Sequence, residues 1–421
     1  MAPVCGVRRE PYLGSPRKGV AAIVMMRYVG PGLRREEWRC NEVSSDWSDS
    51  IRRRVSEDNG RTWAPWQVVY HEYPTQGDYT REQSPGEVCY DPVSGRLVQT
   101  VYHRLLQGEP AKAMEVIWSG NKLFWDHLFY QVSEDGGLSW GELRQLQYES
   151  GLAYDPDDWS NPGFLLANEA YLGGMTALPN GSVIVTATVP VPYRDAEDQK
   201  YPAIYPNGAR EGCVGGVVCF IGRWNAPRKE HDWNVSAPVF VPRRVSTRGL
   251  VESDLSQLTD GRLLMIMRGS NTGLDPVANP GRKWMATSPD GGLTWSPVTD
   301  LGYDTGEQFY SPASFLRTIR SSKTGKLYWI GNISATPPDG DRPRYPLQIA
   351  EVDETIPALK RDTVTIIDDR QPNAPPVQLS NFSVLENRET LEMELYMSRY
   401  GERGTGPDAA TADAYKYTLA F

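Results

Sequence analysis

Ser133-Glu134-Asp135-Gly136-Gly137-Leu138-Ser139-Trp140 is one of three copies of a single pattern. Ser56-Glu-Asp58-Asn-Gly60-Arg-Thr62-Trp63 stands before it and Ser288-Pro-Asp290-Gly-Gly292-Leu-Thr294-Trp295 after it. The common form is S-x-D-x-G-x-[ST]-W. From Trp63 to Trp140 is 77 residues, and from Trp140 to Trp295 is 155, about two such steps. A degenerate copy, His231-Asp232-Trp233, falls in the gap. Asp-x-Gly predicts a tight turn, with Gly taking positive φ and Asp bonding nearby amides. The Trp anchors the turn between neighbouring sheets.

The flanks are strand-like. Ile51–Val55, Leu128–Val132 and Trp284–Thr287 precede the turns, and Trp66–Tyr70 follows the first. Between the turns lie pairs such as Glu87–Asp91 with Gly95–Tyr102, Met175–Gly181 with Ser182–Thr188, and Ser253–Gly261 with Arg262–Met267. Each pair is strand, Gly turn, strand. After Trp295 the turn motif is lost but the rhythm persists through Lys326–Ile330, Leu347–Val352, Thr390–Tyr396 and Tyr415–Phe421. Four strands in roughly 60–90 residues is the signature of a propeller blade. The 421 residues therefore predict an all-β, six-bladed β-propeller over 1–421 as one domain, with seven blades as the alternative count. The last strand is expected to close the ring against the first residues, since open sheet edges are a hazard.

Composition narrows the function. Lys plus Arg is 44 and Asp plus Glu is 53, a formal charge of −9. That argues against nucleic acid as a partner, which needs a basic footprint. Trp (13) and Tyr (22) far outnumber Phe (9). Rings with a flat apolar face and a polar edge suit sugars, and equally suit β-sheet cores and rims. The five cysteines are odd in number and lack zinc spacing, so no disulfide framework and a reducing compartment are expected. The first ten residues lack a signal-peptide stretch, which points to a cytoplasmic protein, or to a secreted one if the chain is trimmed. The longest early apolar run, Val20–Met26, is too short to span a membrane. No phosphate loop, nucleophile elbow, dinucleotide fingerprint or metal-like histidine spacing occurs, and no cofactor is expected.

The repeated pattern at blade spacing resembles the Asp-box of the sialidase superfamily, whose Asp-boxes lie on the rim. The resemblance extends along nearly the whole chain. Arg9-Glu10-Pro11 resembles the Arg-x-Pro element that the family carries on the innermost strand of its first blade. Asp46 stands near the family's acidic residue before the first box, with Asp49 and Glu42 as rivals. Glu252, the Asp260-Gly261 turn and Arg268 match a mid-chain Glu and Arg, and Arg344 resembles the last family Arg. Arg8 and Arg342 compete with Arg9 and Arg344. The resemblance implies that Arg9, Arg268 and Arg344 clamp a substrate carboxylate by bidentate bonds. Asp46 and Glu252 would handle protons, and Tyr345 would contact substrate.

One departure is plain. The family's tyrosine nucleophile, itself an exception to the two-carboxylate rule, falls on Leu379 of Pro376-Val-Gln-Leu379-Ser380. Tyr345 and Tyr310 are the nearby candidates to replace it. The expected function is an exo-acting glycoside hydrolase on an acidic carbohydrate. A polysaccharide lyase on the same scaffold, and a non-catalytic glycan- or protein-binding propeller, are the alternatives.

Overall fold

The computed structural model describes residues 3–44, 47–70, 73–108, 124–193, 195–202 and 212–421. In chain order, β1 (Gly6–Leu13) is followed by β2 (Ala21–Tyr28), β3 (Arg35–Ser44), β4 (Trp47–Ser56) and β5 (Gln67–Tyr70), and these last four form the first sheet. The second sheet holds β6 (Thr75–Gln76), β7 (Tyr79–Asp91), β8 (Arg96–Gln107), β9 (Phe124–Ser133) and β10 (Arg144–Gln145). The third holds β11 (Tyr171–Ala177), β12 (Ser182–Pro192), β13 (Cys213–Asn225) and β14 (Glu230–Val235), with β15 (Val239–Phe240) on β13. The fourth holds β16 (Val251–Gln257), β17 (Leu263–Arg268), β18 (Lys283–Ser288) and β19 (Thr299–Asp300). The fifth holds β20 (Arg317–Arg320), β21 (Leu327–Asn332), β22 (Leu347–Asp353) and β23 (Ala358–Leu359), with β24 (Thr365–Asp368) on β22. The sixth runs β25 (Phe382–Glu386), β26 (Met393–Ser398), β27 (Ala414–Ala420) and then β1. Six antiparallel sheets of this order are a six-bladed β-propeller.

The last sheet is closed as expected: Gly6 pairs with Ala420 and Pro11 with Tyr415. This placement also overturns one reading. β1 is not the innermost strand of the first blade. It is the edge strand of the last sheet, at the end away from β25. The first blade begins at β2, whose run Ala-Ala-Ile-Val-Met-Met satisfies the hydrophobic pattern that an inner strand requires.

The strands fall into two compact units. One comprises Met1–Glu72, Leu274–Lys283 and Asp300–Phe421; the other comprises Tyr73–Gly273 and Trp284–Thr299. In the first, Ile330, Leu347, Ile349, Leu379, Phe382, Leu395 and Leu419 form a buried core. In the second, Val183, Val185, Val218 and Phe220 belong to one core, and Leu263, Met265 and Met267 to another. β17 is buried at every position, so its Leu-Leu-Met-Ile-Met run is covered on both faces. Each such side chain contributes about 1.5–3 kcal/mol on burial. At Gly174 of β11, a Cβ would lie 2.9 Å from the amide nitrogen of Leu255 in β16, so only glycine permits that approach. Among the described residues no helix is long and apolar enough to cross a membrane.

The repeated turns follow β4, β9 and β18, each joining the next-to-last strand of a sheet to its last. The Ser56 hydroxyl accepts from the Gly60 amide at 2.8 Å, and Asp58 accepts from the amide and hydroxyl of Thr62 at 2.8 and 2.6 Å. These Thr62 bonds hold the Asp58 carboxyl down at about 2. Ser133 with Gly137 and Ser288 with Gly292 repeat the first bond at 2.8 Å. Gly60, Gly137 and Gly292 all have φ near 90° (87, 85 and 96), which a Cβ would strain. The degenerate copy differs. His231-Asp-Trp233 lies within β14, and Trp233 packs edge-on to Tyr130 (5.1 Å) and Phe220 (6.4 Å).

Asp300 on β19 gives a pH signature. Its Oδ1 is buried and makes no hydrogen bond, while Oδ2 lies 3.4 Å from the Arg282 guanidinium. Burial pushes the carboxyl up to about 6, and Arg282 opposes this only in part. A folded-state value above the unfolded one means that the folded state holds the proton more tightly. Its stabilising contribution is therefore present at low pH and is lost as pH rises from about 4 through about 6. We expect a loss of ~1–2 kcal/mol over that window, allowing for the partial exposure of the group. Urea unfolding at pH 4, 5, 6 and 7 checks it: Asp300→Asn should remove this part of the decline. Identical pH profiles for the two proteins would refute the assignment.

Candidate active site

Glu252 and Arg268 meet in the second unit. They lie on β16 and β17, where Val251 pairs with Arg268, and a register shift between Val251 and Asp254 turns Glu252 out of the regular ladder. Glu252 has φ of 46°, in the left-handed region that a side chain occupies at a cost. Its amide donates to the Thr188 hydroxyl at 3.0 Å, and the next residue, Ser253, donates to the Thr186 hydroxyl at 2.8 Å. So β12 holds the kink from one side. Arg268 donates through Nη1 to Glu252 Oε2. The Arg268 side chain is 9% exposed and that of Glu252 20%, so the pair sits at the edge of solvent. Such a pair is suited to binding an anion through the guanidinium while the carboxylate takes or returns a proton.

Arg344 lies in the first unit, in the connection from β21 to β22. Its Nε donates to the Asp341 carbonyl (3.1 Å), its Nη2 to the Ala313 carbonyl (3.2 Å), and Asp341 Oδ2 lies 3.1 Å from Nη2. Its rival Arg342 meets the Gln378 side-chain oxygen through both terminal nitrogens, at 3.0 and 3.1 Å, once that amide is oriented to suit. Tyr345 accepts from Arg370 Nη1 at 3.1 Å. Tyr310 lies under the Arg282 guanidinium, 5.1 Å from the ring centre. Leu379 is fully buried in the apolar core of this unit, where a hydroxyl would be out of place.

Arg9 is elsewhere. From the edge strand β1 it reaches Asp368 at 3.2 Å, a carboxylate that also accepts from Arg399 and from the Tyr417 hydroxyl. Asp368 is buried and Arg9 is 39% exposed at its side chain. The arrangement is an ion pair tying β1 to β24, and the sequence pattern Arg-x-Pro placed it on the wrong strand. Asp46 lies outside the described residues. Its rival Asp49 accepts from the exposed Arg17.

The other rival, Glu42, has a partner that sequence reasoning missed. The Tyr400 hydroxyl donates to Glu42 Oε1 at 2.5 Å. Tyr400 follows β26, and its carbonyl accepts from the Gln378 amide at 2.8 Å, so it sits beside the segment that carries Leu379. A half-buried tyrosine bonded to a carboxylate is the pairing an oxygen nucleophile needs. Tyr396 and Tyr417 also bond carboxylates but are buried, and burial raises the pKa of both.

His103 is a core residue. It is 1% exposed, its ring lies 4.3 Å from Phe129 and 5.5 Å from Tyr154, and burial drives its pKa well below the usual value. Among the described residues no group of three His, Cys, Asp or Glu side chains could hold a metal ion.

No protein family and no curated protein matches the sequence. Solved structures do match the fold. A protein of unknown function from Dyadobacter fermentans has a TM-score of 0.60 at 15% identity, covering 99% of each chain. The NanB sialidase of Streptococcus pneumoniae scores 0.57 at 13% identity, covering 98% of this chain and 70% of that one. The intramolecular trans-sialidase of Ruminococcus gnavus, solved with oseltamivir carboxylate, scores 0.54 at 11%, covering 98% and 97%. The fold is thus one shared with these sialidases at low sequence identity.

Proposed function

We propose that this protein is an exo-acting glycoside hydrolase on a carboxylate-bearing sugar. The observation that carries the reading is the Glu252–Arg268 pair, held on a left-handed kink at the solvent edge of β16 and β17. Backbone strain persists where surrounding structure enforces it, and it clusters at functional sites. On this reading Arg268 binds the substrate carboxylate and Glu252 moves a proton. Arg344, in the other unit, and Asp46, outside the described residues, stay sequence-based proposals for a carboxylate contact and a general acid. The trans-sialidase solved with a carboxylate-bearing ligand is the neighbour that supports an acidic substrate.

The loss of tyrosine at position 379 leaves two routes. Within its own unit Tyr400, bonded to Glu42, is a tyrosine–carboxylate pairing of the kind that a retaining hydrolysis uses. A lyase would instead use a carboxylate to remove a proton beside a uronate carboxylate. The test is incubation with sialosides, uronides and arabinans, with products separated by chromatography. Free acidic monosaccharide released from chain ends is the expected result. An unsaturated uronate would replace hydrolysis by the lyase reading. No product from any of them would end the enzymatic proposal.

A further inference from the structure

We propose that Tyr171 is the stacking platform for the substrate sugar ring, seated beside the Glu252–Arg268 pair; the inference rests on the carbohydrate reading above and extends it to a named binding residue. Tyr171 is the first residue of β11 and is half-buried. Its cross-strand partner is Thr188, and the Thr188 hydroxyl is the group that accepts from the Glu252 amide at 3.0 Å. Cross-strand partners lie about 5 Å apart. Tyr171 is therefore one strand pairing and one hydrogen bond away from the kink that carries the carboxylate.

The ring packs against a buried assembly. The Arg104 guanidinium lies 5.3 Å from the Tyr171 ring centre, 5.4 Å from that of Phe124 and 6.0 Å from that of Tyr102. Asp126 accepts from Arg104 through both oxygens, at 2.8 and 2.9 Å, so the guanidinium plane is fixed and its charge is neutralised. Both side chains are under a tenth exposed. Tyr102 meets the Tyr171 ring edge-on at 5.8 Å, and burial keeps the Tyr102 hydroxyl protonated. A neutral clamp of this kind does not bind an anion; it immobilises an aromatic face.

A tyrosine ring packed against a guanidinium and still partly exposed has the surface type on which the C–H groups of a sugar stack. The ligand class with such a face, beside a guanidinium for a carboxylate, is an acidic pyranose. The contact is made with the ground state and the transition state alike, so it should appear in KM rather than in kcat. A hydroxyl is not required, whereas a ring is.

The experiment uses the full chain and compares wild type with Tyr171→Ala and Tyr171→Phe, each checked by thermal melting. On the glycoside that the wild type cleaves, Tyr171→Ala should raise KM by about tenfold or more with kcat within about threefold, and Tyr171→Phe should restore KM to within about threefold. Should Tyr171→Ala fail to fold, Tyr171→Leu takes its place. In parallel, retention of wild type, Glu252→Gln and Tyr171→Ala is read on an array of acidic and neutral glycans, which needs no turnover. Acidic-glycan binding retained by Glu252→Gln and lost by Tyr171→Ala supports the platform even when the wild type cleaves nothing. In that case the hydrolase reading alone falls. Unchanged KM and unchanged retention in Tyr171→Ala, a kcat loss at unchanged KM, or no glycan retention by wild type would each overturn the proposal.

Discussion

Replacing Glu252 by glutamine is expected to lower kcat on the cleaved glycoside by ~10²–10⁴, the range that a positioned acid or base contributes. Glutamine has the same shape and still offers an oxygen to Arg268, so the kink and its contacts survive. What it loses is the capacity to take a proton. Binding of substrate should therefore change less than turnover. Steady-state kinetics, with thermal melting as a control, would check both. A variant that turns over at the wild-type rate would remove Glu252 from the reaction.

The second large effect concerns stability. Glu394 on β26 is 5% exposed and accepts from Arg35 (2.8 Å), Asn387 (2.9 Å), Tyr396 (3.1 Å) and Lys416 (3.1 Å). Burial opposes its ionisation, but Asn387, Arg35 and Lys416 together hold its pKa below the usual carboxylate value. Arg35 is itself 3% exposed, so removing the carboxylate strands a buried cation. Glu394→Ala should cost ~3–5 kcal/mol. The pair itself is not worth that much, because both charges were desolvated to make it. The double variant Glu394→Met with Arg35→Met should therefore recover a large part of the loss. Urea denaturation of the single and double variants measures it. A loss below ~1 kcal/mol for Glu394→Ala would show that water reaches Arg35 when its partner is gone.

What was readable in the sequence was what is local. The Ser-x-Asp-x-Gly turn closes through bonds four residues apart, so its chemistry is written in eight consecutive letters. Glu252 and Arg268 are 16 residues apart, on two strands joined by a short turn, and one antiparallel pairing brings them together. Arg9 was misplaced because its strand pairs with residues some 400 positions away, and no local pattern reports which sheet an N-terminal strand joins. Tyr400 was missed for the same reason: it is 358 residues from Glu42. The Arg104–Asp126 clamp spans only 22 residues, but buried ion pairs and surface charges look alike in a list of letters.

The pairing of β1 with β27 also bears on how the chain is made. Residues 73–273 form most of one unit and emerge from the ribosome as a nearly continuous stretch. The other unit is assembled from both ends, and its final sheet lacks its third strand until Ala414–Ala420 has been translated. During elongation β1 has no template and must wait in an unpaired state. Closing so long a loop adds only modestly to the entropic cost, because that cost grows with the logarithm of length. The delay is instead one of timing: β1 is made before its partner β27 and is among the last of these strands to find its place.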